Sequence, residues 1–438
     1  MIPEEKSTCR QFRVNSPTLL QQVRVLDPSS GIDRLADVRI EEGIIRAIES
    51  NITDYPENTD VIPAKGYIFA PGLVDLYSHS GEPGHEERET LASLVNSATA
   101  GGFTRVAILP DTVPPIDNPA AITTLQQKSQ ELSSPNSARL QFWATLTHAR
   151  EGQKMAESGD LLESAFGFTD SRAIENSGLI RRLLEYLQPF GKSIALFPVN
   201  TQLRGNGVMR EGDASIRFGL PGDPALSETI ALATLLELVA EVGTPVHLMR
   251  ISTRRGVELI RDAKRRGLPV TASVTWLHLL VNTEAIATYD SSLRLDPPLG
   301  NESDRTALVE AVREGIIDAI AIDHRPYTYE EKTVAFAEAP PGAIGLELAL
   351  PLLWEKLVKP GELSPLELWK ALSLNPCLCT GQKPPEIAVG QPAEAILFDP
   401  NAIWTVTGDS LQSLSRNTFW LERELSGRVI QLWNYSGS

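Results

Sequence analysis

Histidine is scarce in this chain. The 438 residues hold six: His79, His85, His148, His247, His278 and His324. No two stand two positions apart, so the pair of imidazoles on one strand face that marks many metal sites is missing. Cysteine is rarer still, with Cys9, Cys377 and Cys379. An odd count without regular spacing excludes a disulfide framework. Cys377 and Cys379, in "NPCLCTG", read as partly buried thiols. No stretch of about 18 uncharged apolar residues exists, so no helix is expected to span a membrane. Positive charge is also in deficit: 40 Lys and Arg stand against 56 Asp and Glu, a net charge of −16. Nucleic acid and anionic membranes would be repelled by such a surface. The start, "MIPEEKSTCRQF", carries acidic residues and no apolar core. It is therefore not expected to be a signal peptide, and a cytoplasmic location is expected.

What is present is enough apolar residue for a large core, 42%. Its rhythm changes twice. From about residue 18 to 70, short alternating runs such as "DVRIEEGIIRAIES" read as strands, with Gly43 placed for a hairpin turn. From Pro71 to about Cys379, helical patterns alternate with short apolar runs. "RETLASLVNSATAGGF" leads to "RVAILPD", and "SGLIRRLLEYLQPFG" to "SIALFPV". "LSETIALATLLELVAEVG" leads to "PVHLMRIS", "TRRGVELIRDAKRRGL" to "PVTASVT", and "ESDRTALVEAVREGII" to "AIAID". Repeated units of this kind over about 300 residues predict a parallel (β/α)8 barrel of the TIM type. Asn301 and Ser303 are placed to cap one helix, with Gly315 near its end. Beyond about residue 386 strand-like runs return. The expected α/β architecture is a barrel over 71–379 and a discontinuous β-sandwich from 1–70 plus 380–438. The run "GYIFAPGLVDL" reads as one buried strand leading to the site.

Barrel chemistry sits at the carboxyl ends of strands. The residues there are Tyr77 and His79, Asp111, Asp170, Phe197, Arg250, Trp276 and His278, and Asp323 and His324. His247 reads as a strand residue, and His85 and His148 as loop or surface residues.

On these residues the chain resembles dihydroorotase, of the cyclic amidohydrolase superfamily. "APGLVDLYSHSGEPGHEERETLASLVNSATAGGFTRVAILPDTVPPIDN" is similar to the family's opening motif. "RGNGVMREGDASIRFGLPG", "RLDPPLGNESDRTALVEAVREGIIDAIAIDHRPYTYEEK", "APPGAIGLELALPLL" and "ILFDPNAIWTV" extend the likeness over nearly the whole chain. The resemblance implies a dinuclear zinc site that activates a bridging water for opening of the dihydroorotate ring. Carried over by position, His79, Asp170 and Asp323 keep family metal-site residues, Asp323 being the catalytic aspartate. Tyr77, Phe197 and Arg250 replace histidine ligands. Gly81 and Asp111 replace the arginine and asparagine that anchor the substrate carboxylate. Asp296, Gly300, Arg325 and Tyr327 also depart from the family's motifs.

A phenol, a phenyl ring and a guanidinium do not ligate zinc near neutrality. The expectation is a degraded zinc site with no cofactor. Arg250 is then expected to pair with Asp170 or Asp323. The resemblance extends to inactive homologues that assemble with aspartate transcarbamoylase. It implies a non-catalytic partner in pyrimidine biosynthesis, an oligomer or hetero-oligomer. The alternative is an active hydrolase converting dihydroorotate to N-carbamoyl-aspartate through a reduced, mononuclear zinc site. A third reading has Arg250 and Arg325 holding a small anion in the old pocket. The loop between Gly300 and Arg305 and the segment "YTYEEKTVAFAEAPPG" are expected to roof that pocket.

Overall fold

The computed structural model describes residues 16–435. Cys9 and the opening segment lie outside the described residues. Two sheets organise the chain. The first holds seven strands from both chain ends. They are β1 (Thr18–Asp27), β2 (Ile32–Glu41), β3 (Ile44–Glu49), β4 (Asp60–Pro63), β5 (Ile68–Pro71), β16 (Glu394–Thr405) and β17 (Glu424–Asn434). Strands β2 and β3 pair antiparallel, and Glu42 and Gly43 between them both have positive φ, the backbone a two-residue hairpin requires. The pairing of β5 with β16 joins the two chain ends into one sheet around its own core, which includes Val23, Phe69 and Leu397.

The second sheet has eight parallel strands. In chain order they are β6 (Leu73–Ser78), β7 (Phe103–Ile108), β8 (Arg139–Ala144), β9 (Gly167–Phe168), β10 (Ser193–Leu196), β13 (Val246–Leu248), β14 (Val270–Thr275) and β15 (Ala319–Ala321). A short ribbon, β11 (Met209–Arg210) with β12 (Gly222–Asp223), is inserted between β10 and β13. The barrel closes where β6 meets the residues after β15: His79 N–H donates to His324 O and Asp323 N–H to Tyr77 O. Helices follow the strands as the rhythm predicts, among them Leu91–Ala100, Ser177–Leu187, Leu226–Val242, Arg254–Arg265 and Glu302–Arg313. Their apolar faces and the strands form the main core, and a smaller cluster with Leu76, Tyr77, Trp143 and Met249 is set apart from it.

Two expectations are corrected. "GYIFAPGLVDL" is two strands: β5 lies in the terminal sheet and β6 in the barrel. The elbow is Gly72. A Cβ there would come within 2.2 Å of the Thr104 side chain, so only glycine lets the backbone pass. The elbow's carbonyls are satisfied by Trp369 Nε1–H, which donates to Pro71 O, and Ser373 Oγ–H, which donates to Gly72 O. The second correction concerns Gly300 to Arg305. Residues from Glu302 onward are the first turn of a helix, capped by Asn301 and not Ser303. Among the described residues, no helix is long and apolar enough to cross a membrane.

Candidate functional site

The carboxyl ends of the barrel strands converge on one guanidinium. Arg250, after β13, is 3% exposed. Its Nε–H donates to Asp323 Oδ2 at 2.9 Å and its Nη2–H to Asp323 Oδ1 at 2.6 Å, a bidentate pair. Nη1–H donates to the Ser171 carbonyl at 3.0 Å. The rings of Tyr77 and Phe197 lie 5.4 and 5.1 Å from the guanidinium carbon. Burial disfavours the cation, but the Asp323 carboxylate more than offsets this and pushes the Arg250 pKa up. Burial likewise works against the Asp323 carboxylate, while the Arg250 guanidinium holds its pKa well below the usual range.

His79 follows β6. Its Nδ1 lies 2.6 Å from Asp111 Oδ2. Its Nε2 faces Arg250 Nη2 at 3.3 Å and Asp323 Oδ1 at 3.2 Å. In the tautomer whose Nδ1–H donates to Asp111, Nε2 accepts from the guanidinium. Burial again opposes charge on Asp111, and the hydrogen bond from His79 Nδ1, with Arg150 and Arg325 nearby, holds its carboxyl well below the usual range. The second oxygen, Asp111 Oδ1, is buried without a hydrogen-bond partner.

Asp170 does not join this cluster. Its Oδ1 accepts from the backbone N–H of Leu146 and Thr147 at 2.9 and 3.0 Å, and its Oδ2 from the Thr147 hydroxyl. Burial pushes its pKa up despite these bonds. Of the two carboxylates considered for Arg250, only Asp323 is bonded to it.

Tyr77 is wholly buried and serves a separate chain of hydrogen bonds. Its hydroxyl accepts from Arg250 N–H at 3.1 Å and lies 2.8 Å from Ser273 Oγ. Ser273 Oγ lies 2.8 Å from His247 Nε2, and His247 Nδ1 lies 2.9 Å from Thr271 Oγ1. Burial pushes the Tyr77 phenol up and drives His247 down to about 3. His278 is driven by burial down to about 4, bonded to Thr275. Sequence reasoning missed Ser273, Thr271 and Ser171. The available signal was the alternation in "VTASVT", which puts Thr271 and Ser273 on one strand face.

The other positions singled out in the sequence lie around this cluster. A Cβ on Gly81 would lie 2.3 Å from His85 O and 2.5 Å from Glu89 O, so this loop has no room for a side chain there. Asp296 is engaged by Arg204, whose Nη1–H donates to both carboxylate oxygens at 3.0 and 3.1 Å. Arg325 stands 3.9 Å from Asp111 with its stem packed on Gly342 and its guanidinium 5.7 Å from the Tyr327 ring. His324 is turned away from the cluster: its Nδ1 accepts from Gly345 N–H, and Nε2 faces Glu89. His85 and His148 lie in a loop and a short exposed turn. A cavity of about 440 Å³ opens over Phe197, with Arg172, Glu175, Arg204 and Asp296 in its wall.

Backbone strain marks the same place. Nine non-glycine residues among those described have positive φ, and Arg250 (55°), Asp323 (51°) and Ser171 (54°) are three of them. All three meet at the guanidinium, where packing over-determines a costly conformation. Among the described residues, no group of three or more His, Cys, Asp or Glu side chains is arranged to hold a metal ion.

Solved structures share this fold. The L-hydantoinase of Arthrobacter aurescens superposes with a TM-score of 0.80, covering 96% of this chain and 95% of its own at 20% identity. A D-hydantoinase from a Thermus species gives 0.76, covering 94% and 93% at 21% identity. The fold is thus the one these hydantoinases share: a TIM-type barrel with a second sheet built from the two chain ends.

Sequence likeness narrows this. The sequence model of the family described as "Dihydro-orotase-like" matches residues 66–256. A Synechocystis protein named "probable dihydroorotase-like protein" is 48% identical over 436 aligned positions, covering 93% of this chain and 98% of that one. The dihydroorotase of Geobacter metallireducens is 36% identical over 411, covering 93% and 96%. This chain belongs to the dihydroorotase-like family.

Proposed function

We propose that this protein is a non-hydrolysing dihydroorotase-like protein, acting in pyrimidine synthesis through association with aspartate transcarbamoylase. The observation that carries the first half is the bidentate Arg250–Asp323 pair, with Arg250 also at His79 Nε2.

The donor set does not fit a dinuclear zinc site. Phe197 has no lone pair to offer. The Tyr77 oxygen is engaged by Ser273 and by Arg250 N–H, and its phenol is held protonated by burial. Both oxygens of Asp323 are taken by Arg250, and both of Asp170 by the loop after β8. A dication about 4 Å from the guanidinium would be repelled by about 8 kcal/mol even at an effective dielectric of about 20. The substrate side points the same way, because Gly81 brings no donor and Asp111 brings a carboxylate. The association rests on the resemblance to non-catalytic homologues and on a scaffold retained from end to end beside the rebuilt mouth.

Two assays test it together. Zinc-supplemented protein is assayed with dihydroorotate and N-carbamoyl-aspartate, and tagged protein is used to co-purify aspartate transcarbamoylase. The proposal expects no turnover and a stable complex. Turnover with bound zinc favours the mononuclear hydrolase instead. A solitary, inactive protein removes the partnership.

A further inference from the structure

We infer that the barrel mouth is a built site for a small planar cation, a cage of four acceptors that the protein fills with its own Arg250. This rests on the reading that no zinc occupies the mouth, and it adds that Arg250 is the resident ligand of a preformed site.

The acceptors are Asp323 Oδ1 at 2.6 Å, Asp323 Oδ2 at 2.9 Å, Ser171 O at 3.0 Å and His79 Nε2 at 3.3 Å from their donors. They satisfy Nη2, Nε and Nη1 in the fork geometry of a guanidinium. The Tyr77 and Phe197 rings complete the enclosure with their π-systems.

Each acceptor is positioned by something other than Arg250. His79 is turned by its Nδ1 bond to Asp111, which leaves Nε2 as the acceptor. The Ser171 hydroxyl accepts from Arg150 Nη2, and the adjacent Asp170 is held by three bonds from the loop after β8. Asp323 is fixed by its own backbone bond to Tyr77 O. Ser171 and Asp323 both sit in left-handed backbone, a conformation kept only where the surroundings enforce it. The acceptors come from the ends of β6, β9 and β15, and the cation arrives on β13. A cage held from three strands, none of them the occupant's own, is expected to persist when its occupant is cut away.

The test is chemical rescue. In Arg250→Ala the cage loses its cation, and the unfolding midpoint is expected to fall by on the order of 5 °C or more. Adding about 10 mM guanidinium chloride, far below denaturing concentration, is expected to recover a few degrees by binding the folded state. Urea at the same concentration has the same planar shape and no charge, and is expected to recover nothing. Wild-type protein is expected to ignore both. The double variant Arg250→Ala, Asp323→Asn has lost the carboxylate and is expected to lose the rescue. Equal responses to guanidinium and urea, or none to either, overturn the inference. If Arg250→Ala does not fold alone, it is refolded from denaturant with each additive. Native circular dichroism with guanidinium alone supports the cage, and its absence with both overturns it. Zinc bound stoichiometrically by wild-type protein sinks the proposed function. A zinc-free wild type with an unrescued variant sinks only this inference.

Discussion

Replacing Arg250 by methionine keeps the apolar stem and deletes the charge. Asp323 then stays at the barrel mouth with a side-chain exposure of 17% and no cation bonded to it. Breaking a buried pair from one side costs about 3–5 kcal/mol, because the remaining charge is desolvated without compensation. The pH dependence is more diagnostic than the size. In the wild type the folded-state pKa of Asp323 is depressed. Its stabilisation is fully present above the ordinary carboxylate range and is lost only as pH falls through the depressed value. In the variant, burial without Arg250 raises that pKa above the unfolded value, so protonation relieves the strain as pH falls. The gap between wild type and Arg250→Met is therefore largest near pH 8 and shrinks by at least about 1 kcal/mol by pH 5. Asp323→Asn strands the other partner. Arginine does not titrate in that window, so its gap stays flat. Urea unfolding of the three proteins at both pH values reads this directly. An Arg250→Met deficit under about 1 kcal/mol, or one equally flat with pH, refutes the reasoning.

Other consequences follow from neighbouring contacts. Tyr77→Phe removes the oxygen shared by Ser273 and Arg250 N–H, and is expected to cost about 1–3 kcal/mol in urea unfolding. His247, driven down to about 3, binds a proton in the unfolded chain below about pH 6.5 but not in the folded one. Stability should fall as pH drops between those values, by up to about 1.4 kcal/mol per unit from this residue, and His247→Gln should flatten the slope. Gly72→Ala drives a methyl into Thr104 and is expected to lower stability by about 1–3 kcal/mol, with Thr104→Ala recovering part of it in thermal melts.

The barrel was legible because each helix announced itself by its apolar period and each strand by a short apolar run. The elbow at Gly72 was not, since Pro71 and Gly72 interrupt a run whose hydrophobicity never falters. Both halves are buried, but in different sheets. At the site, the chemistry of single residues was readable: Phe197, Tyr77 and Arg250 announce poor zinc ligands wherever they stand. Which carboxylate Arg250 would take was not readable. Asp170 and Asp323 look alike in sequence, and the choice falls to Leu146 and Thr147, whose backbone N–H groups claim Asp170 first. Ser273 joins Tyr77 across 196 residues of sequence, a distance over which local pattern carries no signal.

Zinc content bears most directly on the central claim. Protein purified from zinc-supplemented culture, desalted and measured by elemental analysis, is predicted to hold well below one zinc per chain. One or two zinc ions per chain that survive desalting would contradict the account.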